Sequence, residues 1–543
     1  MTPGDDATPE PTRTWRDREK ASRSRGVFLD TAIAPLDGSE VYTTVYEPDV
    51  LLVSPAPGRD SPWRATPDLD ALAERLGWIV TPEPLEDPLP QGESEAAPRP
   101  GRLDGVSTTV RARISISPDA DPEAPVERPD AWRLLREARR AGLEGVALNH
   151  VLTLDGVVAN PFKGHPFKGH PFKGHPFKGH GGGLDSYAEP GYGGRQPISY
   201  AGPDLPKAQL PLADRPIVAV FDTGCGDHPW LRGDDVVDAV KTWGGAIGII
   251  DPDSDPERNP SLGDPLDGVI DDAAGHGTFI AGLIRQACPE ARILPVRVAD
   301  GNGVILENDL LGALGRIVAL LESGVRIAVL NLSLGFYHES PNRAKVEGQL
   351  YELLKRARAK DCVVICSAGN DATDRPASPA AMYAWPGNDF DITAEEEKGL
   401  APHVAVGALN PSGRSVALFS NVGPWVSTYA KGVSLLSSVP SFQGGMQAGL
   451  RRDEYKRRRE TLDIDDFASG FAVWSGTSFS APLVAGRVAA SIAEGAMSKG
   501  IEPASAALTT AVGTIITKLA DEDDSTIKEI IETLEEEDDS DET

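Results

Sequence analysis

The sequence predicts an α/β protein with a doubly wound parallel sheet covered by helices on both faces, preceded by a small α+β domain. Two observations support this prediction. From residue 215 onward, near-continuous apolar strands alternate with helical patterns, as expected for a parallel sheet that is buried on both faces. Before residue 153, shorter elements follow one another in the order β-α-β-β-α-β, which is the split βαβ or ferredoxin-like arrangement.

The elements of the first domain, residues 41–152, follow from local periodicity. Apolar residues at 50–53 predict a strand, and Leu69, Leu72 and Leu76 fall at helical spacing before Gly77, a typical stop. A second strand is expected at 78–80. Alternation over 110–116 has the period of a half-buried strand. A helix from about 130 to 141 and a strand over 145–152 complete the domain.

Residues 153–212 are expected to form a flexible linker. Within it, PFKGH occurs four times in tandem over 161–180, and a period of five matches neither a helix nor a strand. Four of the nine histidines of the chain lie in these repeats, so a loose metal-binding tract is the alternative to a simple spacer. The polar segment 1–40 is expected to be irregular, and 499–543 is expected to be a helical or disordered acidic tail.

The second domain is expected to span residues 213–498. Its predicted strands are PIVAVFD, ILPVRV, IAVLNLSLG, CVVICSAGN and VAVGAL, and its predicted helices are HGTFIAGLIRQA, LLGALGRIVALLESG and QLYELLKRARAK. An insertion at about 438–471 contains RRDEYKRRRE at 451–460, with six basic residues in ten. A solvated helix face is the expected role of this stretch, and contact with an acidic partner is the alternative.

The charge and composition exclude several classes of function. The chain of 543 residues has a formal net charge of −29, which argues against nucleic acid as a partner because phosphates are neutralised by Lys and Arg. Of this charge, −12 lies in the tail over 521–543. The longest apolar candidate, 316–334, is interrupted by charged residues, and the first thirty residues contain no signal-peptide core. We therefore expect no membrane partner and a cytoplasmic location, with four free cysteines rather than a disulfide framework.

Three polar residues stand where strands end or helices begin. Asp222 ends the run IVAVFD, His276 opens an apolar helix between two glycines, and Ser478 lies at the start of another. A serine hydroxyl becomes a nucleophile when a base takes its proton and a carboxylate orients that base. Helix N-termini also present N–H groups to an oxyanion. These residue types therefore predict nucleophilic hydrolysis.

The motifs around these residues resemble those of the subtilisin-like serine proteases, the subtilases. D-T-G begins at Asp222, H-G-T at His276, and G-T-S-x-x-A-P covers 476–482, in the Asp, His, Ser order of subtilisin. A fourth motif, S-A-G-N, ends at Asn370. The resemblance implies that Ser478 attacks the scissile carbonyl, that His276 is the general base and that Asp222 orients it.

The same resemblance implies further site residues. The Asn370 amide and the Ser478 backbone N–H would form the oxyanion hole. Two segments would line a substrate that binds as an added strand: Ser333, Leu334 and Gly335, and Ser367, Ala368 and Gly369.

The resemblance also extends to the partners of the protein. The partners expected are a protein or peptide substrate and the chain's own N-terminal domain, which would act as a propeptide-like inhibitor that lays its last strand in the cleft. No cofactor is required and no site residue is a metal ligand, although family members bind calcium, for which the acid-rich loop 251–272 is the candidate. The alternative is a catalytically silent or only self-processing scaffold that recruits partners through its acidic tail.

Overall fold

The structure is a computed structural model that describes residues 26–29, 41–54, 67–83, 109–119, 127–154, 187, 193–262, 270–344, 348–388, 390–442, 451–452, 458–459 and 467–499. The PFKGH repeats and the acidic tail lie outside the described residues. None of the helices in the described part of the chain has the length and apolar character that crossing a membrane requires.

The N-terminal domain is an antiparallel sheet with two helices. Its elements are β1 (Val27–Phe28), β2 (Val45–Val53), α1 (Pro67–Arg75), β3 (Trp78–Glu83), β4 (Val110–Ile116), α2 (Ala131–Arg140) and β5 (Val146–Leu154). The strands lie in the order β5-β2-β4-β3, and β1 pairs with β2. This order is that of a ferredoxin-like domain, so the predicted α+β arrangement is confirmed.

Amphipathic patterning explains how this domain closes. Trp132 and Leu135 of α2 and Leu69 of α1 are buried against the sheet residues Leu51 and Ile114. Asp130 begins α2 by accepting a hydrogen bond from the backbone N–H of Arg133 at 2.8 Å, which satisfies one of the first amides of the helix. The helices thus cover one face of the sheet.

Two boundaries differ from the expectations. β1 lies inside segment 1–40, which was expected to be irregular, because a strand of two residues has no periodicity that a sequence can display. β5 extends to Leu154, two residues past the expected end at 152. Its last residues pair with the second domain rather than with their own sheet, so the end of β5 is determined by a long-range contact.

The second domain contains most of the remaining elements. Its strands are β6 (Gln196–Pro197), β7 (Ile217–Asp222), β8 (Arg292–Arg297), β9 (Val304–Leu306), β10 (Val329–Leu332), β11 (Leu334–Gly335), β12 (Val363–Ser367), β13 (His403–Leu409), β14 (Thr428–Lys431), β15 (Leu435–Ser438), β16 (Arg451–Arg452), β17 (Arg458–Arg459) and β18 (Phe471–Trp474). Its helices are α3 (Ala239–Trp243), α4 (His276–Ala287), α5 (Glu307–Glu322), α6 (Leu350–Arg358) and α7 (Thr477–Lys499).

A parallel sheet in the order β14-β13-β12-β10-β7-β8 forms the centre of this domain. Alternate residues of each strand enter different cores: Val218 and Val220 of β7 contact α4 and α7, whereas Ala219 and Phe221 belong to the core with α5 and α6. Burial on both faces explains the continuous apolar runs of the strands. The doubly wound fold is confirmed.

The two domains share a sheet through β5. Thr153 of β5 is opposite Val304 of β9 on one side and Gly335 of β11 on the other, both antiparallel. Leu154 is opposite Leu334. The last strand of the N-terminal domain therefore fills a slot between two strands of the second domain.

The basic insertion differs from the expected helix. Its described residues form β16 and β17, which pair antiparallel with Arg451 opposite Arg459. A stretch with six basic residues in ten contains no periodic apolar signal that would distinguish a strand from a helix.

Candidate active site

Asp222 and His276 meet at the carboxyl edge of the central sheet. Asp222 is the last residue of β7 and His276 the first of α4. Nδ1 of His276 lies 2.8 Å from Oδ1 and 2.9 Å from Oδ2 of Asp222. Both side chains are buried. Since a carboxylate accepts hydrogen bonds, this geometry places the proton of the neutral imidazole on Nδ1 and leaves the lone pair on Nε2.

A glycine allows this close approach. A Cβ atom at Gly277, the residue after His276, would contact the backbone oxygen of Gly224 in the D-T-G turn. The amide of Gly277 instead donates to the hydroxyl of Thr223 at 2.9 Å. The D-T-G and H-G-T motifs are therefore in direct contact, and a side chain at residue 277 would separate them.

Ser478 is the second residue of α7, and its hydroxyl does not contact His276 in this structure. Oγ of Ser478 donates to the backbone oxygen of Ser333 at 3.3 Å. Nε2 of His276 is buried and has no hydrogen-bond partner among the described residues. The structure therefore brings Asp222 and His276 together, and it shows no hydrogen bond between His276 and Ser478.

Asn370 is held beside the start of α7 by Thr477. Its Oδ1 accepts from the backbone N–H and from the hydroxyl of Thr477, both at 2.9 Å. The Thr477 hydroxyl in turn accepts from the Gly369 N–H at 3.2 Å. Because the oxygen faces Thr477, the orientation of the amide is determined, and Nδ2 is on the opposite side of the group.

The first segment expected to line the substrate contacts Ser478. Leu334 and Gly335 form β11, which pairs with Leu154 and Thr153 in this structure. The Ser333 hydroxyl donates to the backbone oxygen of Ser478 at 3.0 Å, which ties β11 to α7.

The second expected segment continues β12 past its end. Ser367 is the last residue of β12, and the Ala368 oxygen accepts from Nδ2 of Asn421 at 2.8 Å. Gly369 follows with a positive φ of 106° and leads into Asn370.

Glu257 is a member of the site that the sequence reasoning missed. One of its oxygens accepts from the Thr223 hydroxyl and, at 3.2 Å, from the Gly277 N–H, and the other accepts from the Thr278 hydroxyl at 2.6 Å. The Thr223 N–H donates to Oδ1 of Asp222 at 2.8 Å. Glu257 therefore links the D-T-G motif, through Thr223, with the H-G-T motif, through Gly277 and Thr278. It lies in loop 251–272, where it has no sequence signal that distinguishes it from the other acidic residues.

Burial raises the pKa of Glu257 from its ordinary value of 4.5 to about 7, even though the hydrogen bonds from Thr223 and Thr278 lower it. Below pH 4.5 the carboxyl is protonated in folded and unfolded chains alike. As the pH rises towards 7, the unfolded chain loses this proton first, so the folded state is progressively destabilised. A shift of this size corresponds to about 3 kcal/mol.

We expect Glu257→Gln to remove this pH dependence. The free energy of unfolding of the wild type, relative to the variant, should fall by up to about 3 kcal/mol between pH 4.5 and 7.5. Urea titrations across this range measure it. Glu395→Gln, on an exposed side chain, is the control and should follow the wild type. Parallel curves for wild type and Glu257→Gln would contradict the prediction.

Backbone oxygens in the described part of loop 251–272 accept hydrogen bonds from protein groups. The backbone oxygen of Asp251 accepts from the Arg297 guanidinium at 2.5 Å, and that of Pro252 accepts from the Asn259 amide at 3.1 Å. Calcium needs six to eight oxygen ligands, and the guanidinium at the Asp251 oxygen opposes a second cation at that oxygen. Calcium binding stays a prediction, and no step of the mechanism depends on it.

Comparisons with known proteins agree with these motifs. Residues 213–528 match the Subtilase family, Peptidase_S8. An intracellular serine protease of Paenibacillus polymyxa is 28% identical over 50% of this chain and 65% of its own length. A thermophilic serine proteinase of Bacillus sp. (strain AK1) is 28% identical over 51% of this chain and 52% of its own.

The chain spans between half and two thirds of the length of these relatives. The family match covers more than half of the chain and includes Asp222, His276, Asn370 and Ser478. The match also agrees with the parallel sheet at the centre of the second domain. The chain belongs to the subtilase family of serine proteases.

Proposed function

We propose that the protein is a serine endopeptidase that hydrolyses peptide bonds through an acyl-enzyme on Ser478. The observation that carries the proposal is the buried Asp222–His276 pair, with bonds of 2.8 and 2.9 Å, next to a serine at the N-terminus of α7. One relative is described as an intracellular protease, which supports the expectation of a cytoplasmic enzyme.

The geometry supports a stepwise mechanism. The Ser478 hydroxyl turns from the Ser333 oxygen towards Nε2 of His276, which accepts its proton as Oγ attacks the carbonyl carbon. Asp222 stabilises the resulting imidazolium through Nδ1. His276 then protonates the leaving amine, and the acyl-enzyme is hydrolysed by water with the same base.

The developing oxyanion would be held by two N–H donors. One is the backbone N–H of Ser478, since the first four amides of a helix have no partner within the helix. The other is Nδ2 of Asn370, whose amide is oriented by Thr477. Preorganised donors of this kind stabilise the transition state without a reorganisation cost.

We expect Asn370→Ala to lower kcat about 10²–10³-fold with little change in KM, as the equivalent change does in subtilisin. The reason is that one oxyanion donor is lost, and this donor acts mainly in the transition state. Steady-state kinetics on a peptide substrate measure the effect.

Asn370→Asp distinguishes the oxyanion-donor role of Asn370 from its hydrogen bonds with Thr477. Aspartate keeps an oxygen that accepts from Thr477 but has no amide donor, so this variant should be as impaired as Asn370→Ala. Recovery of wild-type kcat in Asn370→Asp would assign Asn370 a structural role instead.

We also propose that the described state is latent, with the N-terminal domain as the inhibitor. β5 occupies the slot between β9 and β11, where an extended substrate would pair, and the amide of Leu154 donates to the Gly303 oxygen at 2.9 Å. Ser478 and His276 are fully buried in this arrangement. Because the strand uses the same backbone donors and acceptors as a substrate, both cannot bind at once.

Two measurements test these proposals. A fluorophosphonate probe should add to Ser478 in the active protein, as mass spectrometry of the tryptic peptide would detect. N-terminal sequencing should locate the first cut within a few residues after Leu154, because β5 places this part of the chain next to β11. Absence of labelling in all preparations would favour the silent scaffold, and an intact chain in active enzyme would contradict removal of the domain.

A further inference from the structure

His150, in β5 of the N-terminal domain, is enclosed between two carboxylates. Its Nδ1 lies 2.6 Å from Oε2 of Glu307, and its Nε2 lies 2.7 Å from Oε2 of Glu339. The backbone N–H of His150 also donates to the same Glu307 oxygen at 3.2 Å. An imidazole with a carboxylate at each nitrogen donates twice, which requires a proton on both nitrogens. His150 is therefore a cation in this contact.

The charge state agrees with the geometry. Burial by itself lowers the pKa of His150, but the charges of Glu307 and Glu339 and their hydrogen bonds raise it to about 10. Burial likewise raises the pKa of Glu339, but the charges of His150 and Arg139 and the hydrogen bond from His150 hold it well below its ordinary value.

Glu307 and Glu339 belong to the two walls of the slot that β5 fills. Glu307 is the first residue of α5, directly after β9, and Glu339 follows β11 by four residues. His150 precedes Leu154, the residue opposite Leu334, by four positions. A carboxylate on each wall therefore faces the same position of the extended chain in the slot.

Among the described residues, the cationic side chains in hydrogen-bond contact with these carboxylates come from the N-terminal domain. Besides His150, Arg139 of α2 donates to Oε1 of Glu339 at 2.6 Å. The side chains of Glu307 and Glu339 are 5% and 1% exposed with the domain in place. Departure of the domain would remove both cations at once, and unpaired carboxylates in a partly buried site are unfavourable.

With the N-terminal domain in place, the neighbouring groups add no further cation to the two carboxylates. The ring of Phe336 lies 4.6 Å from that of His150 and is apolar. The ring of His338 lies 4.9 Å from that of His150, and its Nδ1 lies 3.6 Å from Oε2 of Glu339. This Nδ1 accepts from the Ser340 N–H at 2.9 Å, and burial, together with the charges of His150 and Arg139, lowers the pKa of His338 to about 3, so it is neutral in this contact. Arg375 donates to the backbone oxygen of His338 at 3.2 Å rather than to a carboxylate.

A metal site is the other interpretation of this cluster. Ligand atoms of His150, His338 and Glu339 lie within 4.8 Å of one another. An imidazolium has no lone pair to offer a metal, and both nitrogens of His150 already face carboxylates. The arrangement is that of an ion-pair site.

We propose that Glu307 and Glu339 form an acidic subsite of the cleft, which binds a cationic side chain four residues before the substrate residue opposite Leu334. His150 fills this subsite in the latent protein. The substrate class is thus an extended peptide with Lys, Arg or protonated His at that position. This proposal rests on the proposed endopeptidase function and adds a selectivity to it.

The first experiment measures selectivity in the self-processed protein. The substrates are quenched fluorescent peptides with the sequence of residues 147–158, carrying Lys or Gln at the position of His150. For the wild type we expect kcat/KM to be at least about 10-fold higher for the Lys peptide, as for a close charge pair. In Glu307→Gln/Glu339→Gln the ratio should fall to about 1. Glu395→Gln, an exposed acid, is the matched control and should retain the wild-type ratio.

A second experiment needs no catalysis. In the full chain with Ser478→Ala, we expect Glu307→Gln/Glu339→Gln to increase hydrogen exchange of the β5 amides at least about 10-fold, with unchanged exchange in β10 and β12. Two outcomes would overturn the subsite and leave the protease function intact. One is that the wild type cleaves the Lys and Gln peptides with a kcat/KM ratio near 1, and the other is that the double variant keeps the wild-type ratio. Absence of turnover of any peptide would instead overturn the protease function, and the exchange rates would then decide whether the carboxylates bind His150.

Discussion

Replacing Ser478 with alanine is expected to lower kcat about 10⁶-fold, the effect of the corresponding change in subtilisin. The physical reason is that no other group beside Asp222 and His276 can form the acyl bond. Only substrate binding and stabilisation of the oxyanion would then accelerate hydrolysis. The same variant should also stay as a single uncut chain, because self-processing would use the same nucleophile. Peptide turnover and intact-mass spectrometry measure the two effects.

The matched control lies two residues further along the helix. The Ser480 hydroxyl is buried and has no hydrogen-bond partner among the described residues, so Ser480→Ala should change neither turnover nor processing by more than a few-fold. Turnover in Ser478→Ala within ten-fold of the wild type would show that the activity arises elsewhere, and the proposed mechanism would be wrong.

Asp222→Asn is expected to lower kcat about 10⁴-fold, as the equivalent change does in other serine proteases. The carboxylate accepts from Nδ1 of His276 at 2.8 and 2.9 Å, and it also accepts from the Thr223 N–H at 2.8 Å. An amide in its place can donate to Nδ1 and thereby favour the tautomer with the proton on Nε2. His276 could then not accept the proton of Ser478.

The overall fold should survive this change, because Asn has the shape of Asp. A melting temperature within a few degrees of the wild type, together with the large loss in kcat, would identify a catalytic effect rather than unfolding. Asp234→Asn, at an exposed aspartate, is the control. A loss of less than ten-fold in Asp222→Asn would contradict the role of Asp222 as the group that orients His276.

Much of the fold and the site could be predicted because the signals are local. The apolar runs that form β7 and β12 and the helical spacing in α1 need only neighbouring residues to be recognised. The D-T-G, H-G-T and G-T-S motifs are short for the same reason. Each places a small residue beside a polar one, and the structure places Asp222 and His276 at the ends of adjoining elements.

Other features could not be predicted, since they depend on residues distant in the chain. Glu257 looks like any other acid in an acid-rich loop, and only the fold places it between Thr223 and Thr278. The direction of the Ser478 hydroxyl, towards Ser333 rather than His276, is likewise a consequence of packing. The short β1 and the end of β5 depend on pairing partners and carry no signal of their own.

The sequence by itself determined the order of the elements and the doubly wound sheet, and its motifs predicted Ser478, His276 and Asp222 as nucleophile, base and carboxylate, because periodicity and short motifs are properties of neighbouring residues. Only the tertiary structure decided that β5 lies between β9 and β11, and that His150 meets Glu307 and Glu339 across 157 and 189 positions of the chain. The physical reason is that pairing of strands and charges acts through space. It links residues that no local pattern connects, and in this protein those links join the N-terminal domain to the site it covers.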